Sequence, residues 1–207
     1  MFLRSAAAVF ALTFALPALA QDAAATPETL PDIAQGAEDA PLTIVEYASF
    51  TCGHCANFHS DVYPQLKSEY IDTGKVRFVQ RDVYFDQPGL WAGILARCGG
   101  DEKFYPVADM LFDEQSEWLA GGSGDEIAAN LRRIGLKAGM TEDQMNACWE
   151  DTGKVEQLIA TFQANATADG IEATPTFIIG GDKVSNQPWD SMKEVIDEKL
   201  AEAAPAE

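Results

Sequence analysis

Two cysteines separated by two residues, Cys52 and Cys55, are the sequence feature that most limits how this chain can fold. They follow an apolar run over residues 42–49 with β-branched side chains on both faces, a pattern that predicts a strand in the middle of a covered sheet. Beyond them, large apolar side chains recur every four residues, which predicts a helix: Phe58, Val62, Leu66 and Tyr70. A Cys-x-x-Cys pair at a strand-to-helix junction is typical of a redox-active dithiol.

The position of Cys52 at the start of the predicted helix indicates which thiol reacts. Unpaired backbone N–H groups and the positive end of the helix dipole stabilise a thiolate there. We therefore expect Cys52 to exchange with a substrate and Cys55, one turn further on, to resolve the mixed disulfide. His54 can lower the pKa of Cys52 through a hydrogen bond or a positive charge; the alternative is an inert exposed residue. We assign no role to His59.

Residues 1–20 have the composition of a signal peptide. Arg4 precedes an apolar stretch over residues 6–16, and Ala18-Leu19-Ala20 supplies the small residues of a cleavage site. The apolar stretch is too short to span a bilayer, so we expect cleavage after Ala20, with an uncleaved anchor as the alternative. Residues 21–36 are predicted to form a flexible linker. We expect an exported, periplasmic protein without stable membrane insertion, in an oxidising space where disulfides persist.

The charge balance argues against nucleic acid as a partner. The chain has 207 residues, with 14 Lys and Arg against 33 Asp and Glu, a formal net charge of −19 at pH 7. Such a surface repels phosphate backbones and anionic membranes. We therefore exclude nucleic-acid binding.

A zinc site is the other interpretation of a Cys-x-x-Cys pair. A structural zinc needs four ligands, which usually include a second closely spaced pair, whereas Cys98 and Cys148 lie far apart in the sequence. We therefore predict no metal and no cofactor. Cys98 and Cys148 each fall on the apolar face of a predicted helix, and in an oxidising space we expect a second, structural disulfide between them. Two buried free thiols are the alternative.

The central part of the chain predicts an α/β fold with a helical insertion. A second strand over Val76–Tyr84 completes a β-α-β unit, which implies a parallel pair with a right-handed crossover. Residues 87–173 show five helical patterns, and this length far exceeds what a simple connection needs. We therefore predict an inserted all-helical subdomain over residues 87–173.

The end of the chain returns to strand patterns. Thr174-Pro175 leads into a predicted strand over residues 176–179, followed by a Gly-Gly turn, a short antiparallel partner and a C-terminal helix. Residues 37–86 and 174–203 together are predicted to form the domain that carries the dithiol.

Glu46 shares its strand phase with Leu42, Ile44 and Ala48. A carboxylate on this face would be desolvated, with a raised pKa, and could exchange a proton with Cys55 through water. The alternative is a solvent-exposed strand residue. We favour the buried position, because alternate residues of a strand share a face.

The order of these features resembles the DsbA-type branch of the thioredoxin-fold oxidoreductases over about residues 36–200. The resemblance is carried by the strand, Phe50-x-Cys-x-x-Cys, the helical insertion, Thr174-Pro175 and the final hairpin. It implies a thioredoxin-like fold, with Cys52 as the nucleophile and Cys55 as the resolving thiol. It also implies that Pro175 is a cis-proline beside the dithiol, preceded by Thr174, and it matches Glu46 to a buried acid of the family.

The resemblance further implies a monomeric periplasmic thiol:disulfide oxidoreductase. Such a protein introduces disulfides into exported proteins with free cysteines and is reoxidised by a membrane partner of the DsbB type. A disulfide isomerase or reductase of the same fold is the alternative, followed by a non-catalytic peptide-binding module. The chain departs from the branch by carrying Gly53-His54 between its cysteines, the dipeptide of protein disulfide isomerase, where DsbA oxidases usually carry Pro-His. This departure leaves the strength of oxidation open.

Overall fold

The computed structural model describes residues 29–203. The predicted signal peptide, its cleavage after Ala20 and the first half of the predicted linker, residues 21–28, lie outside the described residues. The second half of that linker includes a short strand at Ala34–Gln35, so the linker prediction is wrong there. The described chain forms a five-stranded mixed sheet in the order β1-β3-β2-β4-β5. Its strands are β1 (Ala34–Gln35), β2 (Leu42–Ala48), β3 (Val76–Asp82), β4 (Thr176–Ile179) and β5 (Asp182–Ser185).

Helices connect β2 to β3, fill the segment between β3 and β4, and follow the last strand. Two helices lie between β2 and β3, and a π-helical turn at Lys67–Ile71 continues the second of them. Six helices lie between β3 and β4, and the last helix follows β5. They are α1 (Gly53–Asp61), α2 (Tyr63–Leu66), α3 (Gln87–Cys98), α4 (Asp101–Asp113), α5 (Gln115–Trp118), α6 (Gly124–Lys137), α7 (Glu142–Glu150), α8 (Thr152–Ala168) and α9 (Trp189–Ala203). The predicted thioredoxin-like α/β fold with a helical insertion is thus confirmed.

Strand β2 is the centre of the sheet. It pairs in parallel with β3 and antiparallel with β4, so the β-α-β prediction is correct. Ile44 and Tyr47 point to opposite faces and are both fully buried, which explains why the strand is apolar on both sides. The second strand was predicted to reach Tyr84 but ends at Asp82. The chain turns away there, because Asp86 must reach the first turn of α3, where its carboxylate accepts the Gly89 N–H.

Proline shapes the connection after α1. The four-residue period from Phe58 to Tyr70 predicted one continuous helix, whereas the structure ends α1 at Asp61 and begins α2 at Tyr63. Pro64 lies in the first turn of α2, where a missing N–H costs nothing, and in a continuous helix its ring would clash with the preceding turn.

One helix of the insertion escaped the prediction. The short helix α5 carries the polar sequence Gln-Ser-Glu-Trp, which has no apolar period. Its Trp118 is almost fully buried, and the indole N–H donates to the Leu111 carbonyl at 2.7 Å. The N-cap of α4 also differs from what the sequence suggests. An Asp such as Asp101 is a typical N-cap, but Gly100, with φ 86°, occupies that position and Asp101 is the first residue of the helix.

The insertion is cross-linked. Cys98 at the end of α3 and Cys148 in α7 form a disulfide with a Cα–Cα distance of 5.7 Å, which confirms the predicted second bridge. Within the part of the chain that the structure describes, no helix is both long and apolar enough to cross a bilayer.

Removing this bridge should weaken the fold without altering the dithiol. The disulfide spans 50 positions, and the chain-entropy model assigns such a loop up to about 4 kcal/mol. We expect Cys98→Ala/Cys148→Ala to lower the free energy of unfolding in urea by up to that amount. An unchanged urea midpoint, with two fewer cysteines confirmed by mass, would show that the bridge does not stabilise the fold.

Candidate active site

The strand-to-helix switch places Cys52 at the N-cap of α1. The chain leaves β2 at Ala48 and turns so that the Cys52 N–H donates to the Ser49 carbonyl at 3.0 Å. The Cys52 carbonyl accepts the Cys55 and Ala56 N–H groups at 3.1 and 3.2 Å. Cys52 is half-buried, whereas Cys55 is fully buried under it. The outer sulfur is therefore the one that a second protein can reach.

The second wall of the site comes from the start of β4. The Thr174–Pro175 peptide bond is cis, and the Cys52 thiol lies 3.4 Å from the Thr174 carbonyl oxygen. The Thr174 hydroxyl is buried and has no hydrogen-bond partner among the described residues. It is therefore free to donate to a thiolate beside it.

The environment favours ionisation of Cys52. Burial disfavours a thiolate here, but hydrogen bonds outweigh it and lower the pKa of Cys52 below that of an ordinary thiol. Once Cys52 is ionised, its sulfur can accept the otherwise unpaired Thr174 hydroxyl, which gives the largest of these contributions, and the Cys55 and His54 backbones contribute others. The arrangement is that of a thiolate at a helix N-terminus.

The environment of Cys55 has the opposite effect. Burial raises its pKa well above the usual range, and the negative charge of Glu46 raises it further. Two thiols three positions apart therefore differ strongly in their readiness to ionise. Cys55 needs a group that takes up or returns its proton whenever it changes between disulfide and thiol.

Glu46 is fully buried on β2, in line with Ile44 and Ala48. One of its carboxylate oxygens lies 3.0 Å from His59 Nε2, and the other has no hydrogen-bond partner in residues 29–203. His59 is 6% exposed on the inner face of α1. Sequence reasoning gave His59 no role; the signal that could have found it is its position four residues after Cys55, which places both on one helix face.

His54 is exposed, and within residues 29–203 its side chain makes no hydrogen bond to either sulfur. Its backbone N–H, however, favours the Cys52 thiolate. The structure therefore brings Cys52, Cys55, Glu46 and the Thr174–Pro175 bond together and leaves the imidazole of His54 at the surface. A charge effect of His54 on the dithiol stays a prediction.

Gln115 on α5 is a site residue that the sequence did not indicate. Its side-chain amide donates to the Phe50 carbonyl at 2.8 Å and to the Cys52 carbonyl at 3.1 Å. On the other side of the loop, the Thr51 hydroxyl donates to the Asp86 carboxylate at 2.9 Å. The helical insertion thus holds the loop that carries Cys52 from two directions.

Comparison with known proteins identifies the family of this arrangement. The family model described as Thioredoxin matches residues 28–198. The chain belongs to the thioredoxin family. Within the described residues, this thioredoxin-family protein has no group of three or more His, Cys, Asp or Glu side chains placed to hold a metal ion.

Relatives place this thioredoxin-family protein in the DsbA-like branch. The crystal structure of Wolbachia pipientis alpha-DsbA1 matches with a TM-score of 0.77 and 29% identity, covering 84% of this chain and 94% of that one. A Rickettsia bellii protein named as a protein-disulfide oxidoreductase is 33% identical over 173 residues, 83% of this chain and 66% of that protein. Disulfide bond formation protein D of Bacillus subtilis is 27% identical, covering 80% of this chain and 75% of that protein.

The rickettsial relatives are longer than the matched region. The chain spans 61–66% of the length of these relatives. Family membership therefore rests on the shared domain.

Removing the Thr174 hydroxyl should make Cys52 harder to ionise. A hydrogen bond worth about 1 kcal/mol corresponds to roughly 0.7 pH unit, so Thr174→Val should move the alkylation midpoint of Cys52 by iodoacetamide upward by about that amount. The matched control is Thr43→Val, at an exposed position near the start of β2. A midpoint that does not rise would mean that the hydroxyl does not stabilise the thiolate.

Gln115→Ala should loosen the loop that carries Cys52. The Phe50 and Cys52 carbonyls each lose the Gln115 donor, and an unmade bond to a buried acceptor costs about 1–3 kcal/mol. We expect the free energy of unfolding in urea to fall by that amount. Gln65→Ala removes a similar amide-to-carbonyl bond on the exposed side of α2 and should change it by less than about 0.5 kcal/mol. Equal losses in both variants would show that Gln115 does not hold the Cys52 loop more firmly than an exposed glutamine holds its own helix.

Proposed function

We propose that the protein is a thiol:disulfide oxidase that donates its Cys52–Cys55 disulfide to exported proteins with free cysteines. The observation that carries the proposal is the unequal environment of the two thiols, because Cys52 is half-buried at the N-cap of α1 beside Thr174, whereas Cys55 is fully buried. A thiolate stabilised at Cys52 stabilises the reduced form of the protein, which makes the disulfide form a stronger oxidant. A protein with this imbalance gives disulfides away more readily than it takes them up.

The exchange proceeds in two steps. A substrate thiolate attacks Cys52 Sγ, the Cys52–Cys55 bond breaks, and Cys55 leaves as a thiolate that takes up a proton. A second substrate thiolate then attacks the substrate sulfur of the mixed disulfide, and Cys52 leaves as the stabilised thiolate. The substrate loses two electrons and gains a disulfide, and the protein ends with two reduced cysteines.

The surroundings of Cys52 suit an extended substrate segment. A side chain at Gly53 would meet no atom closer than Gln115 Oε1 at 4.0 Å, so the surface beside Cys52 is open. The backbone at the cis Thr174–Pro175 bond lies beside the sulfur and can pair with an extended chain. Phe85, 59% exposed at the end of the loop after β3, adds an apolar surface.

The same proposal covers the partners and the compartment. After each cycle the reduced dithiol needs an oxidant, and a quinone-linked membrane protein of the DsbB type fits that role. We propose a monomer acting in the periplasm, since the exchange needs an oxidising space. No cofactor is required, because both electrons pass through the two sulfur atoms.

Isomerase activity is the second candidate. Gly53-His54 between the cysteines favours it, because the intervening dipeptide helps to set the thiolate pKa and hence the oxidising strength. The crystal structure of protein-disulfide isomerase from Novosphingobium aromaticivorans has the same fold at 22% identity. That likeness supports the fold alone.

The reduction potential of the Cys52–Cys55 pair tests whether the protein is an oxidase or a thioredoxin-like reductase. In a glutathione series we expect a value nearer the roughly −120 mV of DsbA than the roughly −270 mV of thioredoxin. The expected cause is the stabilised Cys52 thiolate. A value below about −230 mV would defeat the oxidase proposal and leave the fold intact.

Two variants serve as controls for this measurement. Cys52→Ser should abolish oxidation of reduced RNase, because the attacked sulfur is gone. With scrambled, disulfide-containing RNase, Cys55→Ser should instead accumulate a mixed disulfide, because Cys52 attacks a substrate disulfide, one substrate sulfur leaves as a thiolate and no resolving thiol follows. Full activity of Cys52→Ser would contradict exchange at Cys52, whereas a wild type that does not oxidise RNase would support the non-catalytic module.

A further inference from the structure

Tyr47 of the central strand contacts the chain on both sides of Thr174. It is the last residue but one of β2 and is fully buried, on the face of the strand opposite to Ile44. In the antiparallel pair of β2 and β4, Tyr47 lies opposite Thr176. Thr176 is the first residue of β4 and follows the Thr174–Pro175 bond directly. The backbone of Tyr47 is therefore paired with the chain just after Thr174.

The side chain of Tyr47 reaches the chain before Thr174. Residues 170–175, which we call the Thr174 loop, connect α8 to β4. Asp169, at the C-cap of α8, comes immediately before this loop. The Tyr47 hydroxyl donates to the Asp169 carboxylate, and it lies 3.1 Å from the Asn165 carbonyl in the last turn of α8. One tyrosine thus contacts the two segments between which the Thr174 loop runs.

Arg81 on β3 fixes this contact from a third element. Its Nη1 donates to the Tyr47 hydroxyl at 2.7 Å and to the Asp169 carboxylate at 3.2 Å. Its Nε and Nη2 donate to the two carboxylate oxygens of Asp32, at 3.0 and 2.8 Å. A guanidinium bound by both of its edges has one preferred orientation. The position of the Tyr47 hydroxyl is therefore set by the sheet and not by the Thr174 loop itself.

Tyr47 stays a hydrogen-bond donor at every pH at which an accessible thiol titrates. Burial is the main cause, and together with the Asp169 hydrogen bond it raises the pKa of Tyr47 to about 12. A buried hydroxyl is costly unless it is hydrogen-bonded, and this one has a carboxylate and a guanidinium as partners. Packing of the ring alone would be satisfied by phenylalanine. The oxygen atom of Tyr47 is therefore the part whose role can be tested.

The hydrogen bonds along the Thr174 loop lie toward its two ends. At the start, the Ile171 N–H donates to the Ala166 carbonyl at 2.8 Å. At the end, the Thr176 hydroxyl donates to the Ala173 carbonyl at 2.7 Å. A segment that is held at both ends samples fewer conformations than one with a loose end. The position of Thr174 therefore depends on how firmly both ends are held.

The position of Thr174 matters because its hydroxyl stabilises the Cys52 thiolate. A hydrogen bond weakens steeply as its distance and angle depart from the optimum. The Thr174 hydroxyl has no partner in the described part of the chain, so no bond of its own side chain keeps it in place. The backbone of the loop must therefore place this hydroxyl beside the sulfur.

We propose that Tyr47 is a positioning residue for the exchange at Cys52, which holds both ends of the Thr174 loop so that the Thr174 hydroxyl meets the Cys52 thiolate. This inference rests on the proposed exchange at the dithiol. Tyr47 acts through Thr174 alone and needs no contact with the reacting sulfur.

The main test is Tyr47→Phe, which removes one oxygen atom and keeps the ring. Cys52 is alkylated with iodoacetamide from about pH 4 to 10 in protein with a reduced dithiol and an intact Cys98–Cys148 bridge. Buried Cys55, whose pKa is raised well above the usual range, stays unreactive.

We expect the alkylation midpoint of Cys52 to rise in Tyr47→Phe. The rise should be about 0.3 to 0.7 pH unit, a roughly two- to fivefold smaller thiolate fraction below the midpoint, and its upper limit is the full loss of the Thr174 hydrogen bond. A midpoint that does not rise would overturn the inference.

Tyr70→Phe is the matched control for a loss of stability alone. The Tyr70 hydroxyl donates to the Asp197 carboxylate of α9 at 2.6 Å, and Tyr70 is 2% exposed. Both variants thus lose a bond between a buried tyrosine and a carboxylate. Both should unfold at a lower urea concentration, but only Tyr47→Phe should shift the midpoint of Cys52. Equal shifts in the two variants would overturn the positioning role.

A double variant tests whether Tyr47 acts through Thr174. In Thr174→Val there is no hydroxyl left to position, so the addition of Tyr47→Phe should raise the midpoint of Cys52 no further. Two mutations that remove the same interaction are not additive. Additive shifts would mean that Tyr47 affects Cys52 by another route, and they would overturn the inference.

Asp169→Ala covers the case in which Tyr47→Phe fails to fold. Asp169 is half-buried at the end of α8, and its loss removes the same contact from the side of the loop. Loss of a negative charge by itself would lower the midpoint of Cys52, so the expected rise cannot be a charge effect. A midpoint at or below that of the wild type would overturn the inference.

The two proposals fail in different ways. If the protein is not an oxidase, the wild type will not oxidise reduced RNase, yet the alkylation midpoints of all variants can still be compared. If only the role of Tyr47 is wrong, the wild type oxidises RNase and Tyr47→Phe keeps the wild-type midpoint.

Discussion

The unequal burial of two neighbouring sulfurs is the constraint on which the rest of this structure depends. Cys52 stands at the open N-terminus of α1, and Cys55 is fully enclosed one turn further on. A helix alone would produce only part of this difference. The sheet adds a buried carboxylate under Cys55, and the start of β4 brings the cis Thr174–Pro175 bond against Cys52. The environment of Cys52 thus favours the thiolate, and the environment of Cys55 favours the neutral thiol.

The helical insertion supports the dithiol as well as covering it. Asp86 at the start of α3 and Gln115 on α5 hold the loop between β2 and α1 from opposite sides. Phe112 on α4 fixes the ring of His59. Three successive helices therefore contribute contacts to a site whose reactive atoms belong to the β-α-β unit. An exchange reaction that breaks and remakes a bond in this loop needs such a fixed frame.

Local pattern predicted much of this arrangement. The phase of β2 placed Glu46 with its apolar neighbours, and the period after the dithiol gave α1. Pattern could not place Gln115 or the short helix α5, because a polar four-residue helix is fixed by the burial of Trp118 and not by its own period. His59 was overlooked for a related reason. The importance of His59 comes from its contact with Glu46 on β2. The spacing of apolar residues along one helix does not reveal contacts with another element.

The Cys98–Cys148 bridge gives the protein a requirement in common with its proposed substrates. Under the proposed export, a new chain arrives with four reduced cysteines, and its helical insertion is not complete until α3 and α7 are joined. Each new copy is therefore itself a folding client that needs an oxidant. Mature copies of the proposed oxidase can supply it, so the first molecules to become oxidised would speed the maturation of those that follow.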